Sequence, residues 1–222
     1  MREYIKKSFL ISENINRQNF IHAIPIEIVH DFVNDINTKN IIDEIESLIP
    51  EYLLQNIDVI YVAYIKDFIR GNRSFNAMYK DRAIYISPEQ DNEEDLLDDI
   101  IHEIAHSLEK EYQEHIYADD LLEREFLGKR NMLYHLVDEP TLNKFEWQNP
   151  AYTPTFDDYI YNDIGYDKLR IVSSGLFYSP YAITSLREYW ANGFENYLLG
   201  DKQRLKDLSP VLYSKINELF EQ

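Results

Sequence analysis

The sequence contains no cysteine. That excludes disulfides, thiolate metal ligands and a cysteine nucleophile, so any bound metal must be held by histidine and carboxylate side chains. Basic residues are outnumbered, with 22 Lys and Arg against 40 Asp and Glu and a net charge of -18. Such a chain repels phosphate backbones and anionic lipid headgroups, which argues against nucleic acid and membrane surfaces as partners. Solubility is the plain reading of the charge, and a preference for basic substrates is the sharper one.

Long apolar runs are also missing. No stretch approaches the roughly 20 residues of a membrane span. The N-terminal twenty residues hold only the short run Phe9-Leu10-Ile11, below the roughly 7 to 15 residues of a secretory apolar region. The expectation is a soluble protein, cytoplasmic or otherwise kept in the compartment where it is made. Gly/Ser linkers, internal repeats and low-complexity segments are absent as well. A chain of 222 residues then suits one domain spanning 1–222. An apolar fraction of 45% with eighteen Tyr and eleven Phe provides the surface that a globular core requires.

Periodicity locates the elements. Ile41, Ile45, Leu48 and Ile49 form one helical stripe in a segment of about 40–54, which Pro50 interrupts. IDVIYVAYI, at 57–65, is rich in β-branched and aromatic residues and reads as a buried strand. A turn-rich segment surrounds Gly71-Asn72, and Arg82 to Ser87 reads as a second strand stopped by Pro88. The next segment, DNEEDLLDDIIHEIAHSLEKEY, predicts a helix with Asp91 or Asn92 as N-cap and acidic residues in its first turn. Leu97, Ile100, Ile101, Ile104 and Leu108 are its apolar stripe. Another helix is expected near 119–137, followed by a Tyr-, Asp- and Pro-rich stretch whose aromatics suggest order. SLREYWANGFENYLLG reads as a helix capped by Ser185 and closed by Gly200, and a last helix follows Pro210.

The chemistry lies on the most clearly patterned helix. His102 and His106 are four residues apart and project from one helix face, so both imidazoles can reach a single ion at about 2.0 to 2.1 Å. Glu103, beside them, is suited to take a proton from a metal-bound water, whose pKa zinc lowers toward about 7. A catalytic zinc needs a third protein ligand and an open position. No third histidine follows at the spacing of the longer H-E-x-x-H-x-x-G-x-x-H signature: Glu109 stands in place of its glycine and Tyr112 in place of its last histidine. Glu188, on the helix after Ser185, is the candidate, with service to the helix dipole as its alternative role.

HEIAHSLE together with YAITSLREYWANGFENYL resembles the gluzincin metallopeptidases, in particular the group that includes the anthrax lethal factor catalytic domain and the MtfA-like peptidases. The resemblance covers mainly 84–109 and 180–199. It implies that Glu188 is the third zinc ligand and that Tyr181, seven residues earlier, donates a hydrogen bond to the developing oxyanion. Glu109 matches an acidic position of the group. Asn192 stands one turn after Glu188, where lethal-factor-like sequences tend to have Glu, so both are candidates to support a ligand from behind. The interval from His106 to Glu188 is longer than expected for the group, which implies an insertion at about 112–180. The resemblance also implies that the strand RAIYIS is an edge to which an extended substrate adds. His22, His30, His115 and His135 share no ligand spacing and read as surface or core residues, and Trp190 and Phe194 as core.

The expectation is therefore an α+β, zincin-like metallopeptidase domain: a small sheet, the HExxH helix and a C-terminal Glu-bearing helix. It would hold one Zn2+ and hydrolyse peptide or protein substrates. The competing reading is a non-catalytic binding or structural protein retaining this fold, for example a component of a viral particle. A virion-associated or effector role is compatible with either.

Overall fold

The computed structural model describes residues 18–70, 73–138 and 140–221. The N-terminal run Phe9-Leu10-Ile11 and the turn at Gly71-Asn72 lie outside the described residues. Among the described residues the fold is α+β, with a five-stranded mixed sheet and ten α-helices. Among the described residues, no helix is long and apolar enough to cross a membrane. The chain divides into two compact units, one ending at Leu108 and one beginning at Glu109.

The first unit carries the sheet. Strands β1 (Gln18–Ile21) and β2 (Ile24–Ile28) form an antiparallel hairpin. Helix α1 (Thr38–Leu48) crosses to β3 (Val59–Val62), which pairs parallel with β2. A short hairpin of β4 (Ile69–Arg70) and β5 (Arg73–Ser74) precedes β6 (Ala77–Lys80) and β7 (Ala83–Ile86). The sheet order is β1-β2-β3-β7-β6, and α2 (Glu93–Leu108) follows. The first predicted helix ends earlier than its apolar pattern does. Its α-helical part stops at Leu48, and after Pro50 a 3-10 turn over Glu51–Leu54 continues the burial with Leu53 and Leu54. Proline lacks the N–H an α-helix needs there. The strand expected over 57–65 is confined to Val59–Val62.

Burial follows from these positions. Ile41, Ile45 and Ile49 from the α1 region and Ile100, Ile101 and Ile104 from α2 are all buried. On another side, Phe68 and Tyr85 pack with Val59, Tyr61, Ile65 and Met78. All four β7 residues are buried, the pattern of a strand covered on both faces. This corrects the placement of RAIYIS as an edge: β7 is flanked by β3 in parallel and by β6 in antiparallel register. The sheet therefore ends in β6.

The β6–β7 turn is made by two non-glycine residues in the left-handed region, Asp81 at φ 52° and Arg82 at φ 63°. Two positive φ values are what a two-residue type I′ hairpin demands. The Arg82 side chain secures the turn, donating from Nε and Nη2 to Asp58 and from Nη2 to the Gln55 carbonyl at 2.7 Å.

The second unit is helical. It contains α3 (Gln113–Tyr117), α4 (Leu121–Leu136), α5 (Lys144–Trp147), α6 (Pro154–Asp158), α7 (Tyr166–Val172), α8 (Leu186–Leu199), α9 (Lys202–Leu208) and α10 (Pro210–Phe220). A π-helical stretch, Tyr159–Ile164, ends at Gly165 with φ 84°. The Tyr-rich segment is organised around buried Arg130, whose guanidinium lies 3.8 Å from the Phe156 ring centroid. Arg130 also donates to the carbonyls of Asn149 and Glu146. Trp190 and Phe194 of α8 are fully buried, as their pattern predicts. At Gly193 a Cβ would stand 2.3 Å from a methyl of Leu212, so any larger residue there would force the buried Leu212 side chain to shift.

Candidate metal centre

Helix α2 begins as its sequence predicts. The Asn92 side chain accepts from the Asp95 N–H at 2.9 Å, and Glu93, Glu94 and Asp95 fill the first turn. Both features satisfy or complement the otherwise unpaired N–H groups of a helix start. One apolar face seats the helix against the sheet and fixes the direction of the opposite side chains. His102 and His106 consequently stand one turn apart, with ring centroids 5.0 Å apart and planes inclined at 79°.

Glu103 is buried, and its Oε2 accepts the main-chain N–H of Tyr79 at 2.5 Å. The direction of that N–H follows from strand register. The Ser87 N–H donates to the Asn76 carbonyl, and Tyr79 sits opposite Ile84. Hydrogen-bonded pairs alternate along an antiparallel ladder, so Ala77 and Tyr79 turn their main-chain groups away from β7. Glu103 meets the outward N–H of Tyr79 on this edge.

Glu188 lies in the first turn of α8 and is half-buried. Its N–H donates to the capping Ser185 side chain at 3.2 Å, and Ser185-Leu186-Arg187-Glu188 has the spacing of a capping box. Among the described residues, His102, His106 and Glu188 form the group that could hold a metal ion, with one ligand atom from each lying within 4.8 Å of the others. Ligand atoms around a tetrahedral zinc with bonds of about 2.1 Å stand roughly 3.4 Å apart. Two imidazoles and one carboxylate are also the donor types to be expected in a chain without cysteine.

The remaining site candidates have other surroundings. Glu109 accepts from Arg187 Nε at 2.8 and 3.0 Å and from the Tyr117 hydroxyl at 3.0 Å. Hydrogen bonding to Glu109 raises the Arg187 pKa, while burial, followed by the Glu109 charge, raises that of Tyr117. Asn192 is buried, with its side-chain amide nitrogen 3.4 Å from the Glu195 carboxylate and its main-chain carbonyl accepting from the Asn196 side chain. Tyr181 opens the 3-10 turn Tyr181–Ile183 that leads into the Ser185 cap. The other histidines lie elsewhere: His22 Nε2 is 3.1 Å from the Ile49 carbonyl, His30 packs against Tyr64, His115 Nε2 is 2.9 Å from the Lys215 carbonyl, and His135 packs against Tyr134.

Two groups near the candidate centre escape sequence reasoning. One is the Tyr79 N–H, a main-chain donor that no residue type announces. The other is Asp99, one turn before Glu103 on α2. Burial is the main cause raising the Asp99 pKa from 3.8 to about 7; the hydrogen bond from Gln90 at 3.1 Å opposes the rise and the Glu103 charge adds to it. Between those two values the folded chain holds a proton that the unfolded chain has lost, so the Asp99 contribution to stability decreases as pH rises from about 4 to 7. Asp99→Asn, assayed metal-free by urea unfolding between pH 4.5 and 7.5, is expected to gain stability over the parent as pH rises. The gain should reach on the order of 2 to 4 kcal/mol. A difference between the two proteins that stays constant with pH would assign the proton to another group.

No known protein family, curated protein or solved structure matches the chain.

Proposed function

We propose that this protein is a zinc-dependent endopeptidase. The observation that carries the reading is the His102, His106 and Glu188 group, with Glu103 placed between the two histidines in sequence. These three residues would hold one zinc ion, which when bound supplies a water of lowered pKa and polarises the scissile carbonyl. Glu103 takes a proton from the attacking water on the oxygen not engaged by Tyr79, then gives it to the leaving amine. Tyr181, in the role implied by the resemblance, donates from its phenol to the carbonyl oxygen as negative charge develops. The outward main chain of Ala77 and the Tyr79 carbonyl on β6 offer a ladder for an extended peptide.

Cleavage of a peptide library, followed by mass spectrometry with and without a chelator, tests the reading. Products are expected in the untreated sample, none after chelation, and recovery when zinc is restored. Cleavage that survives chelation would overturn the metal dependence. Tight zinc binding without any cleavage would favour a non-catalytic binding protein.

A further inference from the structure

The residue after Glu188 is more tightly held than packing alone requires. Tyr189 is buried, and its hydroxyl donates to Glu125 Oε1 at 2.8 Å while accepting from Lys129 Nζ at 2.7 Å. Glu125 and Lys129 lie one turn apart on α4. Each reaches a further element: Glu125 accepts the Val211 and Leu212 N–H groups at 2.8 and 3.2 Å, and Lys129 donates to the Ser209 hydroxyl. These partners cap the start of α10. Lys129 Nζ also lies 4.9 Å from the Tyr189 ring centroid, and Phe126 and Phe177 pack on the same ring. A phenylalanine would fill this volume. The hydroxyl adds direction, at the expense of burying an ammonium and a phenol beside a half-buried carboxylate.

Direction is what the neighbouring residue needs. Successive residues of a helix point about 100° apart, so fixing Tyr189 fixes the heading of Glu188. A side-chain tip about 6 Å from the helix axis moves roughly 1 Å for a 10° rotation, and ligand groups tolerate displacements of only about 0.5 Å. We infer that Tyr189, clamped between Glu125 and Lys129, is the positioning residue for Glu188: its hydroxyl sets the rotation of α8 about its axis and hence the place of the carboxylate ligand. This rests on the metal reading above.

The test compares zinc affinity, measured by competition with a chromophoric chelator, with the urea midpoint of the metal-free protein. Tyr189→Phe keeps the ring and removes both hydroxyl bonds. It is expected to lose roughly 10- to 100-fold in zinc affinity, the range seen when an outer support of a metal site is removed, while still unfolding cooperatively. Phe126→Leu, in the same core, is expected to lower the urea midpoint but leave zinc affinity within about twofold. Lys129→Met replaces the ammonium with an apolar stem of similar length and should weaken zinc binding in the same direction, which keeps the test open if Tyr189→Phe does not fold. Unchanged affinity in the folded Tyr189→Phe or Lys129→Met protein, or an equal loss in Phe126→Leu, would overturn the inference and leave the metal reading intact. A parent protein that takes up no zinc would overturn both.

Discussion

Glu103→Gln is expected to reduce peptide hydrolysis by roughly a hundred- to ten-thousand-fold, the usual contribution of a general base, while zinc content stays at one ion per chain. The substitution isolates the chemistry. Glutamine has nearly the same volume, and its amide oxygen can still accept the Tyr79 N–H that Glu103 Oε2 accepts, so the contact between α2 and β6 is preserved. What is lost is the basicity needed to take a proton from water. Initial rates on a cleaved library peptide, with zinc measured in the same samples, provide the check. Full activity in this variant would remove Glu103 from the mechanism.

Removal of a ligand should act on the other quantity. His106→Ala and Glu188→Gln are each expected to lower zinc affinity by at least roughly a hundredfold, since loss of a direct ligand exceeds the 10- to 100-fold cost of losing an outer partner. Glu188→Gln is the sharper test. It retains the Ser185 cap, which is made to the main-chain N–H of residue 188, and removes the anionic oxygen. Dialysed samples of both variants should hold zinc well below one equivalent, whereas Glu103→Gln should remain loaded. Stoichiometric zinc in both ligand variants would place the metal elsewhere on the chain.

The parts of the molecule that sequence reveals are those governed by local rules. Helix α2 carries a cap at Asn92, acids in its first turn and an unbroken apolar stripe, and α8 carries the Ser185 cap and a buried face. Both are legible residue by residue, which is why His102, Glu103, His106 and Glu188 can be singled out at all. Beyond the helix anticipated near 119–137, which is present as α4, the region 140–180 is not legible in the same way. Its pieces are short, including the four residues of α5 and the five of α6, and they are held by distant partners such as Arg130. Periodicity needs several turns to register, and a main-chain hydrogen bond from a buried arginine leaves no pattern in the segment that receives it. The edge position of β6 is hidden for a related reason. AMYK has no strong alternation, so the apolar RAIYIS draws attention first although it lies one strand further in.

Strand β6 carries a liability of its own. A sheet edge that can accept an extended peptide can also accept a strand from a second copy of the same chain, the first step toward aggregation. Lys80, Asp81 and Arg82 place three charges where β6 turns into β7, and the net charge of -18 makes whole molecules repel one another. The left-handed turn at Asp81 and Arg82, locked to Asp58, holds that charged tip in place. Charge therefore protects this edge: a second acidic copy is turned away before its strand can pair.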